Sequence, residues 1–148
     1  MRRFLLASMF LTCSTFTTQA QDEKCTLAND YCVPIVGCIV ETGEIMTGRS
    51  YGRRSGPFYV WNRKGTQCLG AWRVNILGGV GDLVCDDGRK ADVRYKMIDQ
   101  RTGTATGTGK LNTGNHFVFW SGHNIPGLLA NKPELLSDAV SCLKDVLG

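Results

Sequence analysis

The sequence predicts a mainly β protein: a small antiparallel meander, barrel or sandwich of about six to eight strands, stabilised by disulfides and followed by a C-terminal α-helix. Three observations favour this fold class. A glycine-rich hairpin pattern occurs twice, short apolar segments recur at the spacing of a meander, and helical periodicity is confined to the tail. Residues 21–148 are expected to form one domain, since that length supports a single core.

Residues 1–20 have the pattern of a cleaved secretory signal peptide. Two arginines follow the first methionine, an apolar core covers 4–11, and small residues at 18–20 form a cleavage site. That core is too short to span a membrane, and no later stretch is long enough. We therefore expect an exported protein, periplasmic or extracellular. A competing interpretation makes Cys13 a lipid-modified cysteine, although the residues before it match that signal poorly.

The cysteines predict disulfides, because the leader carries one of the seven and leaves an even set. A two-residue turn at 76–77 would place Cys68 opposite Cys85, so this bond is preferred. Cys142 is then expected to bond to one of the three N-terminal cysteines, and the other two to each other. A zinc site is the weaker alternative, since no Cys-x-x-Cys pair is present. The set is Cys25, Cys32, Cys38, Cys68, Cys85 and Cys142.

The strands follow a polar, loop-like segment over 21–34. An apolar run over 35–40 begins the series, and Gly43 and Gly48 are expected to mark a turn or bend. In the tail, Asn131 is predicted to cap a helix over 132–147, whose apolar side would cover an open face or end of the sheet. The other predicted strands cover 58–61, 69–74, 79–85, 90–98, 104–111 and 116–121.

The first copy of the repeated hairpin joins the strands at 79–85 and 90–98. A three-residue loop over 86–88 would end in a left-handed glycine, which costs no steric strain. This loop sets Gly81 opposite Val93 and, two residues along, Gly79 opposite Tyr95. A two-residue loop would mix apolar and charged residues on one face, so the three-residue loop is favoured.

The second copy has the same arrangement around a loop over 112–114. It sets Gly109 opposite Phe117 and Gly107 opposite Phe119. Glycines opposite aromatic residues let the rings lie flat across a tightly curved sheet. The alternative is that the glycines and threonines of this region form a flexible loop.

The Gly-x-Gly and Asp-Gly steps between Gly79 and Gly88 resemble the hairpin rhythm of MORN-type repeats. The tandem Tyr-x-Gly-x-Trp step of that family is missing, and the resemblance covers only part of the mature chain. It implies a stacked-hairpin scaffold, of a kind often associated with membrane lipid or protein contacts.

Positive charge is concentrated over 45–81, which holds six basic residues and no acidic residue. Without the two leader arginines the chain has 15 basic and 13 acidic residues, so the rest of the mature chain carries a net charge of −4. Arginine and aromatic side chains bind sugars, phosphates and carboxylates through forked hydrogen bonds, stacking and cation–π contacts. We expect a non-catalytic module that binds an anionic polysaccharide or another envelope component through Arg49, Arg53, Arg54, Arg63, Lys64, Tyr59 and Trp61.

Three alternatives stand beside this hypothesis. In the first, the basic residues are a solvated edge and the aromatics are core. In the second, the protein is a small secreted hydrolase of envelope polymers, with His116 or His123 working beside a carboxylate such as Asp82. In the third, it is an inhibitor or effector that binds another protein through an apolar patch. The Gly-x-Ser-x-Gly pattern at 48–52 is not followed by a helix and is read as chance. We expect no metal, cofactor or nucleic-acid partner.

Overall fold

A computed structural model describes residues 25–28, 31–76 and 78–131 of the 148-residue chain. This part of the chain forms a mainly β fold of eight strands and one helix. The elements are β1 (Val33–Ile39), β2 (Glu44–Ser50), β3 (Ser55–Trp61), β4 (Gln67–Asn75), β5 (Gly78–Cys85), β6 (Lys90–Asp99), β7 (Thr104–Leu111), β8 (His116–Ser121) and α1 (Ile125–Asn131).

The sheet is a closed barrel. Each strand pairs antiparallel with the strand that follows it, and β8 pairs with β1 to close the ring. Of the three predicted architectures, meander, barrel and sandwich, the protein therefore has the barrel. We call the end with the turns after β1, β3, β5 and β7 the hairpin end. The other end, the open end, carries the N-terminal segment and the connections after β2, β4 and β6.

The patterns in the sequence did not predict β2. Gly43 lies in the turn between β1 and β2 with φ of +67°, as expected. Gly48, however, lies in the middle of β2, so the expected bend there is wrong. A Cβ at Gly48 would collide with the backbone of Tyr59 and Val60 on β3. The glycine is needed because the two strands approach each other closely at this point.

Both predicted hairpins are confirmed in their register. Gly88 takes φ of +87° in the first loop, and Gly81 lies opposite Val93. In the second hairpin Gly109 lies opposite Phe117. Four aromatic rings lie flat over the glycine opposite them on the barrel wall. In each pair, a Cβ added to the glycine would overlap the ring. These pairs are Gly79 with Tyr95, Gly107 with Phe119, Gly109 with Phe117, and Gly70 with Phe58.

The preferred disulfide is confirmed, since Cys68 is bonded to Cys85 and lies directly opposite it on the next strand. A second disulfide joins Cys25 to Cys32 in the N-terminal segment. Cys38 is also disulfide-bonded. The prediction for Cys142 lies outside the described residues.

The apolar residues form two clusters, one on each side of the barrel wall. The inner cluster faces the barrel axis and draws on all eight strands. The outer cluster lies where β1 and β8 meet α1 and includes Trp120, which is 2% exposed. The inner cluster comprises Ile35, Ile39, Met46, Phe58, Val60, Cys68, Leu83, Cys85, Ala91, Val93, Leu111 and Phe117, with Trp72 and Phe119 packed against it.

The helix α1 was not predicted at its observed place. Its residues Ile125 and Leu129 are buried against Trp120 on the outside of the barrel. Asn131 ends the described part of α1 and donates a side-chain hydrogen bond to the carbonyl of Gly127, instead of lying outside a helix as its cap. The predicted helix over 132–147 lies outside the described residues. Within the described ranges, no helix has the length and apolar character needed to cross a bilayer.

The glycine–aromatic contact can be tested with two inward-facing glycines. A Cβ at Gly109 would lie 2.6 Å from the carbonyl oxygen of Asp92 and overlap the ring of Phe117. We expect Gly109→Ala to lower the free energy of unfolding by about 1–3 kcal/mol, measured by chemical denaturation.

Gly37→Ala is the matched control. The nearest atom to a Cβ at Gly37 is the carbonyl oxygen of Val118 at 3.4 Å, which is an ordinary contact. This variant should be neutral or more stable, because alanine restricts the unfolded chain. Equal losses in the two variants would contradict the steric explanation.

Candidate functional site

The barrel encloses a cavity of about 460 Å³, lined from Tyr31, Arg53 and Arg54 at the open end, which we call its mouth, to Arg89 at the hairpin end. Cavities of about 300–1,000 Å³ lined mainly by apolar side chains are typical small-molecule sites. The wall is built from inward-facing residues of the strands, with polar groups only towards the two ends. Its apolar side chains include Ile35, Ile39, Met46, Phe58, Val60, Leu83, Val93, Leu111, Phe117 and Phe119.

Trp72 and Tyr95 form the aromatic part of the wall near the open end. Their rings meet edge to face, with centroids 6.1 Å apart. The indole Nε1 of Trp72 donates to the carbonyl of Tyr51 at 2.9 Å. The hydroxyl of Tyr95 is buried and has no hydrogen-bond partner within the described ranges. Burial raises the pKa of Tyr95 to about 12, so the phenol is neutral at physiological pH.

A charged network occupies the hairpin end of the cavity. The Nη2 of Arg89 donates to Glu44 at 2.9 Å, and its Nε donates to Asp87 at 2.8 Å. The side-chain amide of Asn62 also donates to Glu44, at 2.8 Å. Arg89 lines the cavity, but it is neutralised by two carboxylates.

This network was not predicted from the sequence, although one signal for it was present. Arg89, Ala91 and Val93 are every second residue, so their side chains point to the same face, and those of Ala91 and Val93 face the interior. A charged residue at an inward position needs a buried partner. The partner, Glu44, lies 45 residues away on β2, the strand that the patterns did not predict.

Burial and hydrogen bonding act on the pKa of Glu44 in opposite directions. Burial alone would raise the pKa, but the hydrogen bonds from Arg89 and Asn62 and the charge of Arg89 outweigh it. The pKa of Glu44 is therefore lower than that of an ordinary glutamate. This carboxylate stabilises the fold while it is ionised.

The N-terminal segment lies at the rim of the open end. The Cys25–Cys32 disulfide closes this segment into a loop, and the amide of Cys32 donates to the carbonyl of Thr26 at 3.1 Å. Leu27 and Tyr31 of the segment line the cavity mouth.

Arg53 and Arg54 stand across the same mouth in the loop between β2 and β3. The guanidinium carbon of Arg53 lies 3.5 Å from the centroid of the Tyr31 ring, in a cation–π contact. The loop itself is fixed, because the amide of Tyr51 donates to the carbonyl of Pro57 and the amide of Val74 donates to the carbonyl of Arg54.

The structure divides the seven predicted ligand-binding residues into three groups. Arg53 and Arg54 lie at the open end. Arg63 and Lys64 lie in the turn between β3 and β4 at the hairpin end. The other three, Arg49, Tyr59 and Trp61, lie on the outer face of β2 and β3, where Arg49 is paired with Tyr59. The seven residues do not converge on one surface.

An exposed apolar patch covers part of the outer face of β3, β4 and β5. Tyr59, Leu69 and Val84 lie in one row across the three strands and are 45%, 54% and 49% exposed. Trp61 lies beside this row. The protein-binding hypothesis requires a patch of this kind.

Neither histidine lies at the cavity. His116 is at the hairpin end, where its Nδ1 lies 2.8 Å from the carboxylate of Glu41, and both side chains are exposed. The Nε2 of His123 lies 3.0 Å from the carbonyl of Cys32. Asp82, the carboxylate of the hydrolase hypothesis, lies on the outer face of β5 opposite Asp92. The described structure does not bring Asp82 together with either histidine.

The chain matches no protein-family model, no curated protein and no solved structure.

The charged network predicts a defined pH dependence of stability. Because the pKa of Glu44 is lowered by folding, its contribution is complete above the ordinary glutamate pKa of about 4.3 and is lost as the pH falls through the folded-state pKa. We expect Glu44→Gln to lower the melting temperature at neutral pH. The difference from the wild type should shrink in acid, as followed by circular dichroism.

Asp82→Asn removes an exposed carboxylate from the outer face of β5 and serves as the control. Its melting temperature at neutral pH should equal or exceed that of the wild type, because Asp82 lies opposite Asp92 and like charges on paired strands repel each other. A difference between Glu44→Gln and the wild type that stays constant into acid would contradict the assignment of this pH dependence to Glu44.

Proposed function

We propose that this protein is exported and binds one small apolar or amphipathic molecule inside the barrel. The cavity of about 460 Å³ is the observation that carries the proposal. Closed barrels of about eight strands are just wide enough to be filled by side chains or to hold one small ligand. Here four aromatic rings lie over glycines at the wall, which leaves space along the axis.

Two features support export. The disulfides Cys25–Cys32 and Cys68–Cys85 are of a kind that forms and persists in oxidising compartments. The first 20 residues also have the composition of a secretory leader. A periplasmic or extracellular carrier for apolar molecules would satisfy both features, since such molecules need a protected site to cross water.

The proposal predicts saturable binding of an uncharged apolar probe, N-phenyl-1-naphthylamine, with one site per molecule and increased emission. Leu83 faces the cavity opposite Gly70 and Ala91. We expect Leu83→Trp to weaken probe binding about tenfold or more, because the larger side chain occupies the cavity. Titration with direct excitation of the probe measures the effect.

Val84→Trp is the matched control, because Val84 is the next residue on β5 and faces outwards. It should bind the probe like the wild type. Circular dichroism checks that both variants keep the sheet. If Leu83→Trp fails to fold, Ala105→Phe is used in its place, because Ala105 also lines the cavity. Unchanged binding in a folded cavity variant would rule out the barrel interior as the site.

A second candidate function keeps part of the predicted polyanion surface. Tyr59 and Trp61 are exposed side by side on the outer face of β3, next to the basic turn that holds Arg63 and Lys64. We call Tyr59, Trp61, Arg63 and Lys64 the outer stripe, and we propose that the outer stripe, together with Arg49, contacts an anionic polysaccharide. Stacking on the exposed rings and forked hydrogen bonds from arginine are the supporting chemistry.

The outer stripe is tested by retention on an immobilised sulfated polysaccharide. We expect Arg63→Glu/Lys64→Glu to elute at clearly lower salt than the wild type, because the contact is electrostatic and screened by salt. Lys90→Glu/Lys110→Glu makes the same change in net charge on exposed residues of β6 and β7. Equal shifts in the two double variants would indicate an effect of net charge alone and count against the stripe.

A further inference from the structure

The two ends of the cavity differ in the charge that they offer to a ligand. At the hairpin end, Arg89 already donates to Glu44 and Asp87. At the open end, Arg53 and Arg54 line the mouth and form no ion pair with a carboxylate of the described residues. A ligand in the barrel therefore meets uncompensated positive charge only at the open end of the described cavity.

The surroundings of the mouth add to this charge. Arg73 and Lys96 lie in the open-end portions of β4 and β6, while Arg101, in the loop after β6, is paired with Asp99, its Nε 3.6 Å from that carboxylate. Of the described residues at this end, Asp99 is the one carboxylate. It accepts hydrogen bonds from the amide of Arg101 at 2.9 Å and the hydroxyl of Thr102 at 3.1 Å. The negative charge of Asp99 is thus compensated by groups of its own turn.

The guanidinium groups are also presented from a fixed backbone. The carbonyl of Arg54 accepts from the amide of Val74, and the carbonyl of Tyr51 accepts from the indole of Trp72. Arg53 uses the face of its guanidinium against the ring of Tyr31, which leaves the N–H edges available. Those edges match the oxygens of a carboxylate or phosphate.

We propose that the ligand of the barrel is a single-chain amphiphile whose anionic head group is held by Arg53 and Arg54, with its apolar chain inside the barrel. This inference rests on the proposed binding function and adds the chemical class of the ligand and its orientation. The neutral Trp72 and Tyr95 line the wall below the mouth, so the chain lies against aromatic and aliphatic surface. The head group stays at the solvent-exposed rim, where its charge keeps most of its hydration.

The test compares ligands with one chain length and different head groups: dodecanoate, dodecyl phosphate, dodecan-1-ol and dodecylammonium. Each displaces N-phenyl-1-naphthylamine from the full mature protein at concentrations below micelle formation. We expect both anions to bind about tenfold or more tightly than the alcohol, which is the size of one or two charge-assisted hydrogen bonds. The ammonium should bind less tightly than the alcohol. The order of the two anions separates a free carboxylate from a phosphate-bearing lipid head.

The variant Arg53→Ala/Arg54→Ala should abolish the preference for anions and leave the affinity for dodecan-1-ol within a few-fold of the wild type. Lys90→Ala/Lys110→Ala removes the same charge from exposed strand positions away from the mouth and should retain the preference. Raised salt should weaken anion binding by the wild type and leave alcohol binding unchanged.

The possible failures are distinct. If the probe and all four dodecyl ligands fail to bind, the proposed function is wrong. If the alcohol binds as tightly as the anions, or if the arginine variant keeps the anion preference, the barrel binds apolar molecules and the assignment of the head group to Arg53 and Arg54 is overturned.

Discussion

The contact between inward-facing glycines and aromatic rings on the neighbouring strand is the constraint on which both the barrel and its cavity depend. Four rings lie against the wall because the opposing residue has no Cβ. Larger residues at those glycines would push the rings towards the axis, where they would fill the interior that a ligand needs. The same contacts allow the strong curvature that closes β8 onto β1. Closure and hollowness therefore have one structural cause.

The two ends of the barrel also differ in the charge that they present to the interior. At the hairpin end an arginine, two carboxylates and an amide satisfy one another, so that end presents little net charge to the interior. At the open end, arginines stand on a loop fixed by backbone hydrogen bonds, with one of them stacked on a tyrosine. A disulfide-closed segment forms the other side of the mouth. This difference between the ends would orient an anionic amphiphile in the apolar interior with its head group at the open end.

The sequence was sufficient for the hairpins, their register and the Cys68–Cys85 bond, because loop length and alternation are local properties. It was insufficient for β2, where Gly48 resembles a breaker until β3 is placed beside it. It also grouped Arg53 and Arg54 with Arg63 and Lys64. These pairs are close in the chain, but β3 has seven residues and so separates them by about 20 Å. The cavity could not be predicted, since it arises only when eight strands close.

A methyl-resolved NMR titration of the protein with dodecan-1-ol tests most directly whether the barrel interior is a binding site. Occupation of the cavity should shift the methyl signals of Leu83, Val93 and Leu111, which face inwards, and the shifts should reach saturation. The signals of Leu69 and Val84 on the outer face should stay in place. Shifts confined to Leu69 and Val84, with the inward methyls unchanged, would contradict ligand binding inside the barrel.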